Sequence, residues 1–237
     1  MGHDNKWHDR LLRPLMSKRQ RQRMGAKAIA WLDRPFFKDA YAKHGSVTGI
    51  PDQRVFFLQA ALLSLKDIEG DVAECGVRHG RSTLFMAHAA GGKRQFHIFD
   101  SFEGLSDPVP DKDPGVESFK KDGETRKFHI RNLDRVLGRF NDYPEINVYQ
   151  GWIPDRFPEV EDRRFALIHV DVDMYQPTLD TLDFFWDRLT PGGIVICDDY
   201  GAVAYPGAEK AMEEFFADKF ESPVELPTGQ AIVIKSR

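Results

Sequence analysis

Four aspartates in two pairs are the residues of this chain best suited to chemistry. Asp171 and Asp173 follow the apolar run FALIHV, and Asp198 and Asp199 follow the run GGIVIC. Each run is typical of a strand buried on both faces, and the carboxyl ends of parallel strands meet in the crevice where open α/β sheets bind ligands. Four carboxylates in one crevice repel one another, which raises their pKa values unless a cation neutralises them. The pattern therefore predicts a site for a hard divalent ion such as Mg²⁺.

Capping of the helices that follow is the alternative role for these acids. The next helical pattern after Asp173 is predicted to begin near Pro177, a residue type favoured in the first helical turn. Asp173 is then too early to be an N-cap, and Asp199 is followed by a loop that contains glycine and proline. Neither pair lies at a capping position, so the spacing favours a ligand role.

A glycine-containing turn, in the segment DVAECGVRHGRS, follows the first predicted strand. Gly76 lets a ligand approach the backbone, and the N-terminus of the next helix attracts a carboxylate or phosphate. The dinucleotide fingerprint G-x-G-x-x-G is missing, because three residues separate Gly76 from Gly80, and this disfavours a nicotinamide enzyme. Asp100 ends the second strand, where an acid can accept both ribose hydroxyls. An Asx turn that opens the following loop is the alternative role for Asp100.

The elements that position these residues are read from hydrophobic periodicity. Strands are predicted at 71–75, 95–99, 146–150, 165–170 and 193–197, with helical patterns between or after them, which indicates βαβ units and a mostly parallel sheet. An amphipathic helix is predicted from 53 to 66, and the run AIVIK near the end predicts an antiparallel edge. Residues 102–129 contain no convincing strand and several helix-breaking prolines and glycines. We expect this long connection to form a lid over the crevice.

Composition bounds the class of protein. The 237 residues are 41% hydrophobic and carry a formal net charge of −4, so one globular domain is expected, without broad attraction to nucleic acid or a membrane. The two cysteines form no metal-binding or disulfide pattern, which favours a reducing compartment. No signal peptide or membrane-spanning stretch is recognisable. A cytoplasmic location is therefore expected.

The first fifty residues differ from the remainder of the chain. A basic run from 18 to 23 is followed by aromatic residues, with no clear strand, so residues 1–52 are predicted to form a basic, mostly helical appendage. A nucleic-acid contact is one role for the basic run, but a solvated helix face is the commoner one. The aromatic residues are expected to dock the appendage on the body or on a second subunit, and the second case would make a homo-oligomer.

Four segments together resemble the macrocin O-methyltransferase family, which includes the mycinamicin and noviose sugar methyltransferases. These segments are DVAECGVRHGRS, FHIFDSFEGLS, IHVDVDMYQPT and GGIVICDDYG, and the resemblance covers about residues 70–235. It implies a class I methyltransferase fold over residues 53–237. This is a Rossmann-like α/β fold with a mostly parallel seven-stranded sheet, helices on both faces and a C-terminal antiparallel strand. It also implies Mg²⁺ bound by Asp171, Asp198 and Asp199, with Asp173 as the general base.

The expected activity is metal-dependent transfer of a methyl group from S-adenosyl-L-methionine to a hydroxyl of a sugar or glycosylated natural product. Catechol-type and acyl-CoA-type O-methyltransferases are rivals, but those families have a lysine three residues after the first metal ligand, where this chain has Met174. A non-catalytic module that binds S-adenosylmethionine or a nucleotide is the rival of another class, and it would need no cluster of carboxylates. The residues predicted to bind the cofactor are Glu74, Gly76, Val77, Gly80, Ser82, Asp100, Ser101, Gln150, Gly151 and Trp152.

Three further residues or segments have weaker signals. Trp152 follows the third strand and is predicted either to stack on the adenine or to be a core tryptophan. His169 lies within a predicted strand and is expected to be a hydrogen-bonded core histidine. The segment 228–230 is expected to close the far side of the pocket.

Overall fold

The structure, a computed structural model, describes residues 31–116 and 128–236, over which helices alternate with strands. The α-helices are α1 (Pro35–His44), α2 (Asp52–Ser64), α3 (Arg81–Ala90), α4 (Leu133–Leu137), α5 (Tyr175–Phe185) and α6 (Pro206–Phe216). The strands are β1 (Asp71–Cys75), β2 (Phe96–Asp100), β3 (Ile146–Gln150), β4 (Phe165–Val170), β5 (Leu189–Cys197), β6 (Val224–Glu225) and β7 (Ala231–Ile234).

The strands form one seven-stranded sheet in the order β3-β2-β1-β4-β5-β7-β6. Strands β1 to β5 are parallel, and β7 runs antiparallel to both β5 and β6. The strand order reverses between β1 and β4, which creates the crevice in which such sheets bind ligands. The predicted fold class is confirmed. Three strands have the predicted bounds, β2 begins one residue later than predicted, and β5 begins four residues earlier.

Each face of the sheet is covered by helices and holds its own apolar core. On one face, Leu58 of α2 and Leu84 of α3 pack with Val72 and Ile196 of the sheet. On the other face, Leu182 of α5 and Met212 of α6 pack with Val170. The central strands β1 and β4 bury almost every side chain on both faces, which is why their sequences are continuous apolar runs. No helix within the described residues has the length and apolarity that crossing a membrane requires.

Helix α1 docks on the body of the protein through aromatic side chains. The ring of Phe37 packs against Phe56 of α2 and Phe85 of α3, with ring centroids 5.8 and 5.9 Å apart. Trp31 packs against the same Phe56 at 5.1 Å. The aromatic residues between 31 and 41 therefore contact the chain's own body. The basic run, with the rest of residues 1–30, lies outside the described residues.

Part of the predicted lid is anchored to the body. Residues 102–116 contain no helix or strand, but the buried Asp113 fixes their end. Its carboxylate accepts hydrogen bonds from the backbone N–H groups of Val109 and Tyr175, both at 2.9 Å. A Cβ atom at Gly207 would lie 1.8 Å from the same carboxylate, so the loop also packs tightly on the start of α6. Residues 117–127 lie outside the described residues, and closure of the lid stays a prediction.

We predict that His44 makes the stability of this protein depend on pH. Its Nε2 lies 2.5 Å from the hydroxyl oxygen of Tyr143, and burial lowers its pKa from 6.5 to about 4. Between these two values the unfolded chain binds more protons than the folded one, so the stabilisation is complete above pH 6.5 and is lost as the pH falls towards 4. In urea unfolding at pH 7.5 and pH 5, the wild type should lose more stability than His44→Phe. An equal loss in both proteins would show that His44 does not contribute.

Candidate active site

A cleft opens at the carboxyl ends of β1, β2, β4 and β5, where the strand order reverses. Most of the residues predicted from the sequence to bind ligands meet in it. They are Gly76, Val77, Ser82, Asp100, Ser101, Trp152, Asp171, Asp173, Asp198 and Asp199. Four others, namely Glu74, Gly80, Gln150 and Gly151, do not line the cleft.

Gly76 allows the turn after β1 to lie directly against the end of β4. Its φ angle is +86°, which side chains rarely adopt, and a Cβ atom would lie 1.8 Å from the carbonyl oxygen of Asp171. Only glycine satisfies both conditions. This close approach brings the glycine turn and the first aspartate of the cluster into one cleft.

Glu74 lies behind the cleft wall, because its side chain points into the core between the sheet and helices α2 and α3. The residue is fully buried, and its carboxylate accepts hydrogen bonds from the hydroxyls of Ser82 and Thr83 at the start of α3. The ring of Phe140 covers Gly80 on the side where a Cβ atom would project. Any part that these two residues take in cofactor binding is therefore indirect, through the position of the turn and of α3.

Asp100 organises the glycine turn. Its Oδ2 accepts hydrogen bonds from the backbone N–H groups of Val77 and Arg78, both at 2.7 Å. Its Oδ1 accepts one from Phe102 N at 2.6 Å, which is the Asx turn considered as the alternative role. A carboxylate has about four acceptor sites, so three backbone bonds leave about one for a ligand hydroxyl. The Asx turn does not exclude ribose binding.

Two residues that follow β3, Trp152 and Ile153, contribute to the cleft. Trp152 lines it, and Ser101, after β2, is a buried residue of the same wall. The side chain of Gln150 is exposed, and Gly151 packs against the side chain of Arg156. Trp152 is thus placed where a planar ring system in the cleft would contact it.

Asp171, Asp198 and Asp199 form a group in which one carboxylate oxygen from each lies within 4.8 Å of the others. Burial and the neighbouring carboxylates raise the pKa of Asp171 well above its ordinary value, and they raise that of Asp199 to about 6. The Oδ2 atom of Asp199 is buried and has no hydrogen-bond partner. A buried carboxylate oxygen without a partner is unfavourable in water-free surroundings. The group therefore fits a hard divalent cation, whose preferred ligands are carboxylate oxygens.

Asp198 differs from the other two aspartates because three donors already surround it. Arg54 of α2 pairs with Oδ2, Gln230 donates to Oδ1 at 2.8 Å, and His169 Nε2 lies 3.5 Å from Oδ1. Burial alone raises the pKa of Asp198, but His169 and Arg54 outweigh burial and lower it. Asp198 therefore carries a stable negative charge.

The expectation for His169 agrees with this arrangement, since it is a fully buried strand histidine with a hydrogen-bond partner at each ring nitrogen. Burial lowers its pKa, but hydrogen bonds with Asp198 and Glu74 outweigh burial and raise it to about 9. His169 is therefore positively charged at neutral pH.

Asp173 lines the same cleft but does not belong to the close group of three. Strand β4 ends at Val170, and Asp173 has a left-handed φ of +62°. If the chain stayed extended after β4, residues i and i+2 would lie on the same side; the left-handed Asp173 shows that it does not, although both Asp171 and Asp173 reach the cleft. Helix α5 begins at Tyr175 with Met174 as its N-cap, so Asp173 is not a cap, as the spacing indicates.

One wall of the cleft was not predicted from the sequence. Thr48, Gly49, Ile50 and Arg54, which precede the sheet, line it. Arg54 occupies a polar position of an amphipathic helix. The sequence around it is the same as would be expected for an arginine exposed to solvent. Segment 228–230, expected to close the pocket, does not line the cleft. It supports the wall from behind, because Gln230 donates to Asp198 and the carbonyl oxygen of Thr228 accepts a hydrogen bond from Arg54 Nε at 3.1 Å.

The family model described as "Macrocin-O-methyltransferase (TylF)" matches residues 6–227. The chain belongs to the macrocin-O-methyltransferase family. Two curated relatives are a tetracenomycin-C 4'-O-methyltransferase of Streptomyces olivaceus, 34% identical over 56% of this chain, and a mycinamicin III 3''-O-methyltransferase of Micromonospora griseorubida, 28% identical over 64% of it. The matches span 54% and 63% of these relatives' own lengths.

Solved structures show the same fold. The O-methyltransferase NovP has a TM-score of 0.66 at 21% identity, with 81% of this chain and 83% of NovP covered. The calicheamicin methyltransferase CalS11 also has a TM-score of 0.66, at 20% identity, with 99% of this chain and 97% of CalS11 covered. The family expected from the four segments is confirmed.

We predict that Arg54→Met makes the protein more dependent on Mg²⁺ for stability. Removing one partner of a buried ion pair costs about 3 kcal/mol, because Asp198 loses its arginine counter-charge. A bound divalent cation replaces that charge, so Mg²⁺ should raise the Tm of the variant more than that of the wild type. Thermal unfolding in chelator and in Mg²⁺ measures the difference.

Arg81→Met is the matched control for this experiment. Arg81 pairs with Asp52 at 2.5 Å, and both side chains are largely buried, as in the Arg54 pair. Its loss should lower the Tm without increasing the effect of Mg²⁺. Equal Mg²⁺-induced shifts in Arg54→Met and the wild type would contradict the proposed link between Arg54 and the cation.

Proposed function

We propose that this macrocin-O-methyltransferase family member transfers a methyl group from S-adenosyl-L-methionine to a sugar hydroxyl of a small molecule, with a divalent cation bound by Asp171, Asp198 and Asp199. The observation that carries the proposal is the position of this carboxylate group beside the glycine turn of β1 in one cleft. The partnerless Asp199 Oδ2 supports the cation. Family membership supports methyl transfer.

The relatives' names support a sugar as the acceptor. The tetracenomycin enzyme is named for a rhamnosyl compound and a 4'-O position, and the mycinamicin enzyme for a 3''-O position. CalS11 is described as a TDP-rhamnose 3'-O-methyltransferase. A sugar hydroxyl is therefore the acceptor proposed for this chain.

The bound cation would act as a Lewis acid and template that lowers the pKa of the acceptor hydroxyl and fixes its direction. Asp173 would accept the hydroxyl proton as the methyl group passes from the sulfur of the donor to the acceptor oxygen. Asp100 and Ser101 would hold the ribose of the cofactor, and Trp152 would contact its adenine. Arg54 and His169 keep Asp198 ionised, so that it stays available to a metal.

The residue at position 174 argues against a catechol-type O-methyltransferase. That type has a lysine three residues after the first metal ligand, and the residue here is Met174, which is fully buried. A buried methionine supplies no cation to the cleft. A non-catalytic binding module would have no use for a buried group of mutually repelling carboxylates.

Mass spectrometry with methyl-labelled S-adenosylmethionine tests the proposal. The protein is incubated with a panel of rhamnosides and nucleoside-diphosphate sugars, in Mg²⁺ and in excess chelator. Labelled methyl transfer to a sugar is expected in Mg²⁺, with loss of turnover in chelator and recovery on addition of Mg²⁺. Calorimetry should show S-adenosylhomocysteine binding in both conditions. Full turnover in chelator would exclude the metal, and binding of NAD but not of S-adenosylhomocysteine would exclude the methyl donor.

We predict that Asp173→Asn lowers kcat by about 10²- to 10⁴-fold, because the amide cannot accept the hydroxyl proton. The affinities for Mg²⁺ and S-adenosylhomocysteine should be nearly unchanged, since Asp173 lies outside the group of three aspartates. Steady-state kinetics and calorimetry measure the two effects. If metal affinity falls in step with activity, Asp173 instead orients a metal-bound water.

A further inference from the structure

A row of polar side chains crosses four neighbouring strands on one face of the sheet. It consists of Glu74 of β1, His169 of β4, Asp198 at the end of β5 and Gln230 before β7, all fully buried. Glu74 and His169 are directly opposite each other in the β1–β4 register. The rest of this face, which α2 and α3 cover, is apolar.

The members of the row contact one another in sequence across the sheet. His169 Nδ1 lies 3.1 Å from Glu74 Oε1, and His169 Nε2 lies 3.5 Å from Asp198 Oδ1. Gln230 Nε2 donates to the same Asp198 oxygen at 2.8 Å. Because both carboxylates only accept, the histidine ring donates from each nitrogen. His169 is thus the one member that joins the two acids.

Stability does not explain a buried ionic row. A buried ion pair is often no more stabilising than well-packed apolar side chains of similar volume, and the surrounding positions on this face are apolar. The two acids that His169 joins contact different parts of the site, Asp198 within the cleft and Glu74 behind its wall. Asp198 belongs to the carboxylate group, and Glu74 accepts hydrogen bonds from Ser82 and Thr83 at the start of α3, beside the glycine turn.

We propose that His169 is a positioning residue that couples the cation site to the cofactor turn, so that each ligand binds more tightly when the other is present. A cation on Asp198 fixes the carboxylate that faces the His169 ring. The ring then holds Glu74, and Glu74 fixes the start of α3 through both Ser82 and Thr83, of which Ser82 lines the cleft. This inference rests on the proposed function, since it needs both ligands to bind in this cleft.

Calorimetry of the whole protein with S-adenosylhomocysteine, in MgCl₂ and in chelator, measures the coupling. In the wild type Mg²⁺ should tighten S-adenosylhomocysteine binding by a factor in the range of about 5- to 150-fold, and S-adenosylhomocysteine should tighten Mg²⁺ binding by the same factor. In His169→Leu both ligands should still bind, but the factor should fall to about one. A merely structural role for His169 would lower the Tm and leave the factor unchanged.

His97→Leu is the matched control. His97 is also a buried strand histidine between two partners, with Tyr149 at 2.9 Å and Asp71 at 3.1 Å, but at the amino end of the sheet. Its loss should lower the Tm and retain the wild-type coupling factor. An equal fall in the factor in both variants would overturn the proposal, because the effect would then follow from general loosening of the sheet.

A second variant keeps the test decisive if His169→Leu does not fold. Thr83→Val conserves shape and removes only the hydroxyl that donates to Glu74, so the coupling factor should fall while both ligands bind. If whichever of the two variants folds has the same coupling factor as the wild type, the proposal is overturned. It is also overturned if the wild type itself shows no coupling. If the wild type binds neither Mg²⁺ nor S-adenosylhomocysteine, the proposed function fails as well, and the two failures are thereby distinguished.

Discussion

Repulsion between the carboxylates at the ends of β4 and β5 is the constraint on which the rest of the cleft depends. Three aspartates approach within 4.8 Å of one another in surroundings that exclude much of the water, where like charges are costly. The chain offsets part of this charge with two fixed cations, Arg54 from α2 and His169 from β4. Both pair most closely with Asp198, and Arg54 Nη1 also lies 3.9 Å from Asp199 Oδ1, so Asp171 has the least compensation for its charge. That imbalance is what a divalent ion would neutralise.

The sheet topology brings these aspartates together from short, separate segments of the sequence. Because β1, β4 and β5 are parallel neighbours, their carboxyl ends place the glycine turn and both aspartate pairs side by side. Gly76 then sets how close the two halves come, since its backbone touches the Asp171 carbonyl. Helix α2 lies across the same face, and its Arg54 reaches the cleft and pairs with Asp198.

Sequence periodicity predicted the central strands well because β1 and β4 are buried on both faces and leave continuous apolar runs. The meeting of the two aspartate pairs in one cleft was predictable for a related reason. A charged pair that ends a buried strand has few structural roles. The contribution of Arg54 was not predictable, because its partner Asp198 is 144 residues away and local pattern carries no information about such pairs. Likewise, the left-handed Asp173 was missed because no glycine or proline marks the change of backbone direction.

Glu74 shows a different limit of reasoning from motifs. An acid beside a glycine turn indicates a ligand contact, yet here the strand alternation turns its side chain into the core, towards His169. Spacing along the sequence gives the element and the end of the sheet to which a residue belongs. The face on which its side chain lies depends on neighbours from other strands and helices, and these are fixed only by the complete fold.

The wall of the cleft formed by residues 48–54 has a consequence for how such a protein diversifies. These residues precede the sheet and belong to a loop and the first turns of α2, so none of them pairs with a strand. Surface connections tolerate substitution and changes of length better than strands do. The exposed Thr48 can therefore vary with little effect on the sheet or on the glycine turn. Gly49 cannot, because a Cβ atom there would lie 2.9 Å from the Cβ atom of Arg81, and Ile50 packs against the apolar core. Arg54 is constrained for a different reason, because its guanidinium is committed to Asp198. The shape of this wall can thus change at Thr48 without altering the charge balance of the aspartates, which Arg54 helps to set.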